Sequence, residues 1–287
     1  MTETKRDELA LTAAKVRYLA NEMVYTASSG HIGGSLSAAD IMTVLYFNTM
    51  KVDPKNPADP DRDRLVLSKG HCTPALYSTL ALRGFFPTAD LKMFRSIDGH
   101  MSGHPDMVNV PGVDMSTGSL GQGISAAVGM ALAGKLDKKD YRVFAILGDG
   151  EIEEGQVWEA SMAAAKYHLN NLTAFVDVNG LQIDGKTADV MPSEPLDKKF
   201  EAFNWNVVKI DGHDLEAIES ALDQAAVCTD RPTVILAATV KGKGVSFMEN
   251  NPGWHGKAPN AEQYAVANQE LKDQLAKLGF DVDKEGI

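Results

Sequence analysis

Val143-Phe-Ala-Ile-Leu-Gly148-Asp149-Gly150 is the stretch whose reading decides the fold, together with Asn179 further on. Five apolar residues rich in strand formers, cut short by Gly-Asp-Gly, spell a buried strand that ends in a tight loop. Glu154 to Tyr167 is expected to be a helix, and Leu172 to Val178 a second apolar strand ending at Asn179. A strand-helix-strand unit favours parallel strands joined by a right-handed crossover. That places Asp149 and Asn179 at the carboxyl ends of two such strands, the edge where open α/β sheets bind ligands. An Asp carboxylate, an Asn amide oxygen and a free backbone carbonyl nearby form a hard-oxygen set suited to Mg²⁺ or Ca²⁺.

Composition narrows the classes. With 287 residues, 44% hydrophobic and 23% charged, the chain has the make-up of a soluble α/β protein with a sizeable core. A net charge of −11 argues against nucleic acid or an anionic membrane as partner. The two cysteines, Cys72 and Cys228, lie far apart and outside any CxxC, which suits a reducing compartment with no disulfide framework and no zinc site. The opening Met1-Thr-Glu-Thr-Lys-Arg-Asp-Glu has no apolar signal region and no later run is long enough to span a bilayer, so a cytoplasmic location is expected.

Elsewhere, Leu9 to Thr26 repeats apolar residues at helical spacing. Ser37-Ala-Ala-Asp40 has the form of a capping box, which predicts a second helix from there to about Asn48. Leu65 to Leu67 is a short strand followed by Ser68-Lys-Gly70-His71 and a helix from about Pro74 to Leu82, and Ile124 to Leu136 is a small-residue helix. Asn204 to Ile210 and Pro232 to Val240 are further strands, around a helix from about Leu215 to Val227 that the turn Asp211-Gly-His213-Asp214 caps. The long segment Lys241 to Gly256 is a loop of the length usually kept for function, and a last helix covers about 261–278. Five of the seven histidines directly follow a glycine (His31, His71, His100, His104 and His213), although only 25 of 287 residues are glycine. Imidazoles gathered on permissive backbone favour a site. The glycines at 118, 121 and 123 do not form the dinucleotide fingerprint, and Lys241-Gly-Lys-Gly244 lacks the upstream glycine of a P-loop.

Gly-Asp-Gly, 28 residues and then Asn179 resembles the motif shared by thiamine diphosphate enzymes. Ser29-Gly-His31-Ile-Gly-Gly-Ser-Leu36, Ser68-Lys-Gly-His71, Gly103-His104-Pro105, Thr117-Gly118-Ser-Leu120-Gly-Gln-Gly123, Lys241-Gly-Lys-Gly244 and Trp254-His255-Gly256 follow in the order found in the N-terminal half of transketolase. The resemblance implies a single thiamine diphosphate-binding domain over 1–287, with a doubly wound, mainly parallel sheet and helices on both faces. It implies that Asp149, Asn179 and the Leu181 carbonyl ligate Mg²⁺ or Ca²⁺. It puts His71, Gly150 and His255 by the diphosphate, and Gly118 and Leu120 near the cofactor ring. His31, His104 and His255 would line a substrate funnel, binding sugar hydroxyls and moving protons. Glu154 and Glu159 match carboxylates at the family's subunit interface, although acids are also favoured at a helix start by the dipole. His100 matches no family role, and His168 and His213 are read as structural or surface residues.

The same resemblance exposes a missing half. In the family, the glutamate that activates the cofactor sits in a second, pyrimidine-binding domain. The expectation is therefore one subunit of a split transketolase, moving a two-carbon ketol unit from a ketose to an aldose, with a pyrimidine-domain partner in an α2β2-type assembly. Alternatives are a subunit of another thiamine diphosphate enzyme (related to 1-deoxyxylulose 5-phosphate synthase or to the α-subunit of a 2-oxoacid dehydrogenase), a non-catalytic cofactor-binding subunit, or a piece of a full-length enzyme.

Overall fold

Alternation along the strands decides how the sheet is covered. The computed structural model describes residues 1–287. Its strands are β1 (Arg64–Leu67), β2 (Val143–Gly148), β3 (Leu172–Val178), a short antiparallel ladder of β4 (Leu181–Gln182) and β5 (Gly185–Lys186), then β6 (Asn206–Asp211) and β7 (Thr233–Ala238). Five of them form one all-parallel sheet in the order β1-β2-β3-β7-β6. The helices are α1 (Glu3–Thr26), α2 (Gly33–Val44), α3 (Thr73–Arg83), α4 (Gln122–Leu136), α5 (Gly155–Lys166), α6 (Thr187–Val190), α7 (Leu196–Ala202), α8 (Leu215–Val227), α9 (Ala261–Lys277) and α10 (Val282–Glu285). None is long and apolar enough to cross a membrane.

Successive side chains of a strand point to opposite faces. On β2, Phe144 and Ile146 enter a core shared with α1, α2, α3 and α8, while Val143, Ala145 and Leu147 enter a second core under α4, α5 and α7. Phe175 and Ile235 join the first core, and Ala174, Val176 and Val234 the second. The sheet is therefore doubly wound, as expected. A register slip of one residue would exchange the two faces of a strand. Each fully buried large side chain contributes about 1.5–3 kcal/mol, so pairings such as Ile146 with Phe175 are firmly fixed.

Winding direction then locates the binding edge. The step from β2 to β3 passes through α5 on one face. The chain next skips a place to β6 and returns to β7 through α8 on the other face. The direction reverses between β3 and β7, and the crevice beyond the carboxyl ends of such a pair is where open sheets bind ligands.

One local expectation is corrected. Ser37 and Asp40 do not open the second helix, which begins four residues earlier at Gly33. Ser37 instead hydrogen-bonds the Gly34 carbonyl and Asp177, and Asp40 pairs with Arg17 and His213. Glycines 33 and 34 look like loop residues in sequence, but here they start a helix that is buried throughout. Past Val44 the helix widens into a π turn over Leu45–Thr49. Arg17 and Asp40 are only 7% and 6% exposed. Removing one member of such a pair strands a buried charge. Asp40→Ala is thus expected to cost about 3–5 kcal/mol in denaturant unfolding; a loss of about 1 kcal/mol or less, the scale of an exposed pair, would contradict this reading.

Candidate cofactor and substrate site

Residues from several separate stretches meet at the carboxyl ends of β1, β2, β3 and β7. They line a cavity of about 370 Å³ that includes Lys69, His71, Leu120, Gly148–Gly150, Glu154, Asn179, Leu181, Lys241 and His255. Its floor is charged. Lys69, just past β1, and Asp177, near the end of β3, form an ion pair with side chains 2% and 0% exposed. Ser37 of α2 donates to the same carboxylate, as does Thr239 after β7, and the Lys69 ammonium also donates to the Gly34 carbonyl at 3.3 Å. Burial alone would neutralise Lys69, yet the adjoining Asp177 carboxylate holds it above its ordinary value, and Asp177 is held below its own. Both stay charged.

Asp149 sits where β2 turns away. One carboxylate oxygen accepts from the Gly150 N–H at 2.9 Å and the other from the Gly180 N–H, so the tips of β2 and β3 are bridged directly. Burial, and then the charge of Asp177, push its pKa up to about 6. Asn179 turns its amide oxygen onto the Leu181 N–H at 3.1 Å, which leaves that oxygen a second lone pair. The Leu181 carbonyl faces the Lys241 ammonium at 3.2 Å. The three expected metal ligands are thus brought together, with a cation already drawn to one of them.

Four of the glycine-borne and loop-borne histidines gather. His31 lies 5.4, 6.0 and 5.5 Å (ring centroid to centroid) from His71, His104 and His255, and His71 lies 4.9 Å from His255. Burial lowers the pKa of all four: to about 4 for His31, helped by Arg95, and to about 3 for His255, helped by Lys241. His71 is driven well down by burial and Lys69, and His104 is lowered by burial and Arg95. The cluster is neutral near pH 7. Gly118 backs onto His104 at φ +154°, where a Cβ would lie 3.1 Å from the ring. His213 is outside the cluster and bridges Asp40 to the Val240 N–H. His100 and His168 are exposed, the latter facing the Asp230 carbonyl. Glu154 stands at the N-cap position of α5, at the cavity edge and without a side-chain capping bond, and both it and Glu159 on that helix are exposed.

The family model described as "Transketolase, thiamine diphosphate binding domain" matches residues 9–285. The chain belongs to the transketolase family. It is 46% identical over 276 residues to the 6-deoxy-6-sulfo-D-fructose transketolase subunit SqwG of Clostridium sp. (strain MSTE9), covering 96% of this chain and 100% of that one. It is 44% identical to an apulose-4-phosphate transketolase subunit of Phocaeicola vulgatus, covering 95% and 96% of the two chains. Human transketolase is 40% identical, with 95% of this chain matching 43% of that protein. The solved transketolase from Leishmania mexicana superposes with a TM-score of 0.88 at 31% identity, over 97% of this chain and 42% of that one.

This transketolase chain also carries site residues to which the sequence alone assigned no role. Lys69 and Lys241 stand inside the Ser68-Lys-Gly-His71 and Lys241-Gly-Lys-Gly244 motifs, and both line the cavity. Glu151 is buried and ties the loops together, accepting from Ser68, from the Gly121 N–H at 2.9 Å and from the Gly148 N–H at 3.0 Å. Nuclear magnetic resonance of the ring nitrogens tests the electrostatics. At pH 6 the His31 and His255 rings are expected to be neutral; imidazolium signals from both at that pH would contradict the burial argument.

Proposed function

We propose that this chain holds thiamine diphosphate through a divalent cation bound by Asp149, Asn179 and the Leu181 carbonyl, and works as the diphosphate-binding subunit of a two-subunit transketolase. The observation that carries this is that Asp149, Asn179 and Leu181 line one cavity at the tips of β2 and β3, beside His71 and His255. The donor set fits the group. A buried carboxylate pushed up to about 6 is one that a cation would keep ionised, and the oxygens are hard. An acidic chain needs such a cation to accept an anionic tail. Mg²⁺ fits, with Ca²⁺ as the alternative.

When bound, the cofactor supplies the carbanion-stabilising ring through which two ketol carbons pass from a ketose to an aldose. The chain's own groups do the rest. Lys241 approaches Nδ1 of His255 at 2.8 Å; as an ammonium it donates there, leaving Nε2–H of His255 to donate toward a ligand. Gly150 would lie by the diphosphate, its own N–H held by Asp149, and Gly118 and Leu120 would lie near the cofactor ring. His31, His104 and His255, held neutral, give donors and acceptors matched to sugar hydroxyls and relay protons between them.

The partner in this proposal carries the pyrimidine domain, and two copies of each chain assemble. Chains of nearly this length are named transketolase subunits, whereas the full-length human enzyme is matched over 43% only. The α5 face with Glu154 and Glu159 also exposes Met162 and Tyr167, 54% and 51% exposed, which suits an interface between copies. The substrates are anionic sugars of the kind those relatives' names describe, a sulfonate or a phosphate, and the setting is the cytoplasm. Asp149→Ala is expected to abolish metal-dependent thiamine diphosphate binding, read by calorimetry; unchanged affinity would contradict the clamp. Ketol transfer is expected only when the pyrimidine-domain partner is added, with a ketose and not pyruvate as donor; full activity from the isolated chain, or preference for pyruvate, would overturn the reading.

A further inference from the structure

Arg95 is a cation in an unusual setting. Arg17 and Arg62 pair with buried carboxylates, and Arg83 donates to two backbone carbonyls. The Arg95 guanidinium, by contrast, has a single protein acceptor, the Ser29 hydroxyl, which takes Nη1–H at 2.9 Å. Its Nε is buried without a partner, and Nη2 has no acceptor either. The face of the guanidinium is occupied instead. Gly103 packs on it so closely that a Cβ there would collide, and the neighbouring Phe94 ring lies 5.5 Å from Cζ.

These contacts fix where the charge points. Ser29 is two residues before His31, and Gly103 immediately precedes His104. The guanidinium is therefore wedged between the two segments that present the funnel imidazoles, and its charge reaches both rings. The positive φ of +56° at Arg95 keeps its backbone in a turn that few side chains adopt without support. The imidazoles around it bring no compensating negative charge. A half-buried cation with one unmatched side favours an anion, and a guanidinium's planar donors match tetrahedral oxyanions.

We propose that Arg95 is the anion contact this chain itself contributes to the sugar site, engaging the phosphate or sulfonate of the substrate through Nη2, the guanidinium nitrogen that is neither buried nor bonded. The assignment rests on the transketolase reading above and extends it to a residue of this chain. It also gives position 103 a reason to be glycine: any side chain would displace the guanidinium.

The experiment uses the two-subunit enzyme loaded with cofactor and compares three classes of ketose donor: a phosphate ester, a sulfonate and an uncharged sugar. Arg95→Ala should lower kcat/KM for the favoured anionic donor by about 10–100-fold, the scale of a charge-assisted hydrogen bond, and change the uncharged donor by less than about 3-fold. Arg95→Lys should recover part of the loss. Whichever anion loses more identifies the group that is read. Equal losses on charged and uncharged donors, or no loss on either anion, would overturn the proposal. Thiamine diphosphate affinity measured on the same variant separates the two layers: absence of cofactor binding in the unaltered chain would defeat the transketolase reading itself, whereas normal binding with no charge discrimination would defeat only the role of Arg95.

Discussion

The buried ion pair between Lys69 and Asp177 is the constraint on which the site depends. Charges this deep are tolerated only when paired and fully hydrogen-bonded. Satisfying Asp177 draws in Lys69 from beyond β1, Ser37 from α2 and Thr239 from beyond β7. Four segments are thereby held at one level of the sheet edge. With those ends fixed, Asp149 can bridge to Gly180, and His71 and Lys241 can enter from either side. The pair stabilises a geometry rather than merely adding a favourable term.

The electrostatics of the cavity follow from that floor. Lys69 is offset by Asp177, and Glu151, Glu153 and Glu154 also line the cavity, but the acid and base that burial shifts strongly beside the strand tips are Asp149 and Lys241. Burial pushes Asp149 up to about 6 and Lys241 down to about 8, each toward its neutral form. A site whose acid and base are both pushed toward neutrality gains most from a ligand that restores their charges. A divalent cation does so for Asp149, and an anionic diphosphate does so for Lys241. The neutral imidazoles above them add hydrogen-bonding capacity without adding charge.

Much of this was legible in the sequence. The Gly-Asp-Gly turn after an apolar run, and the next run ending at Asn179, located the sheet edge and both strand tips. The motifs around His31, His71, His104 and His255 separated the four clustered imidazoles from the rest, though His213 shared the Gly-His signature and serves a buried network instead. The ion pair was less legible. Asp177 stands inside Leu172-Thr-Ala-Phe-Val-Asp-Val178, and a charge within an apolar strand signals that a buried partner must exist. Spacing cannot name that partner, since Lys69 is 108 residues away. The start of α2 was misread because tertiary burial, not local propensity, makes Gly33 and Gly34 helical. Arg95 gave no signal, because what distinguishes it is the acceptors it lacks.

The most direct test is a crystal structure of the chain grown with thiamine diphosphate and Mg²⁺. The account predicts one metal ion about 2.0–2.1 Å from an Asp149 oxygen, the Asn179 amide oxygen and the Leu181 carbonyl, with the diphosphate on its open side. A diphosphate bound without metal, or a metal held away from the tips of β2 and β3, would contradict it.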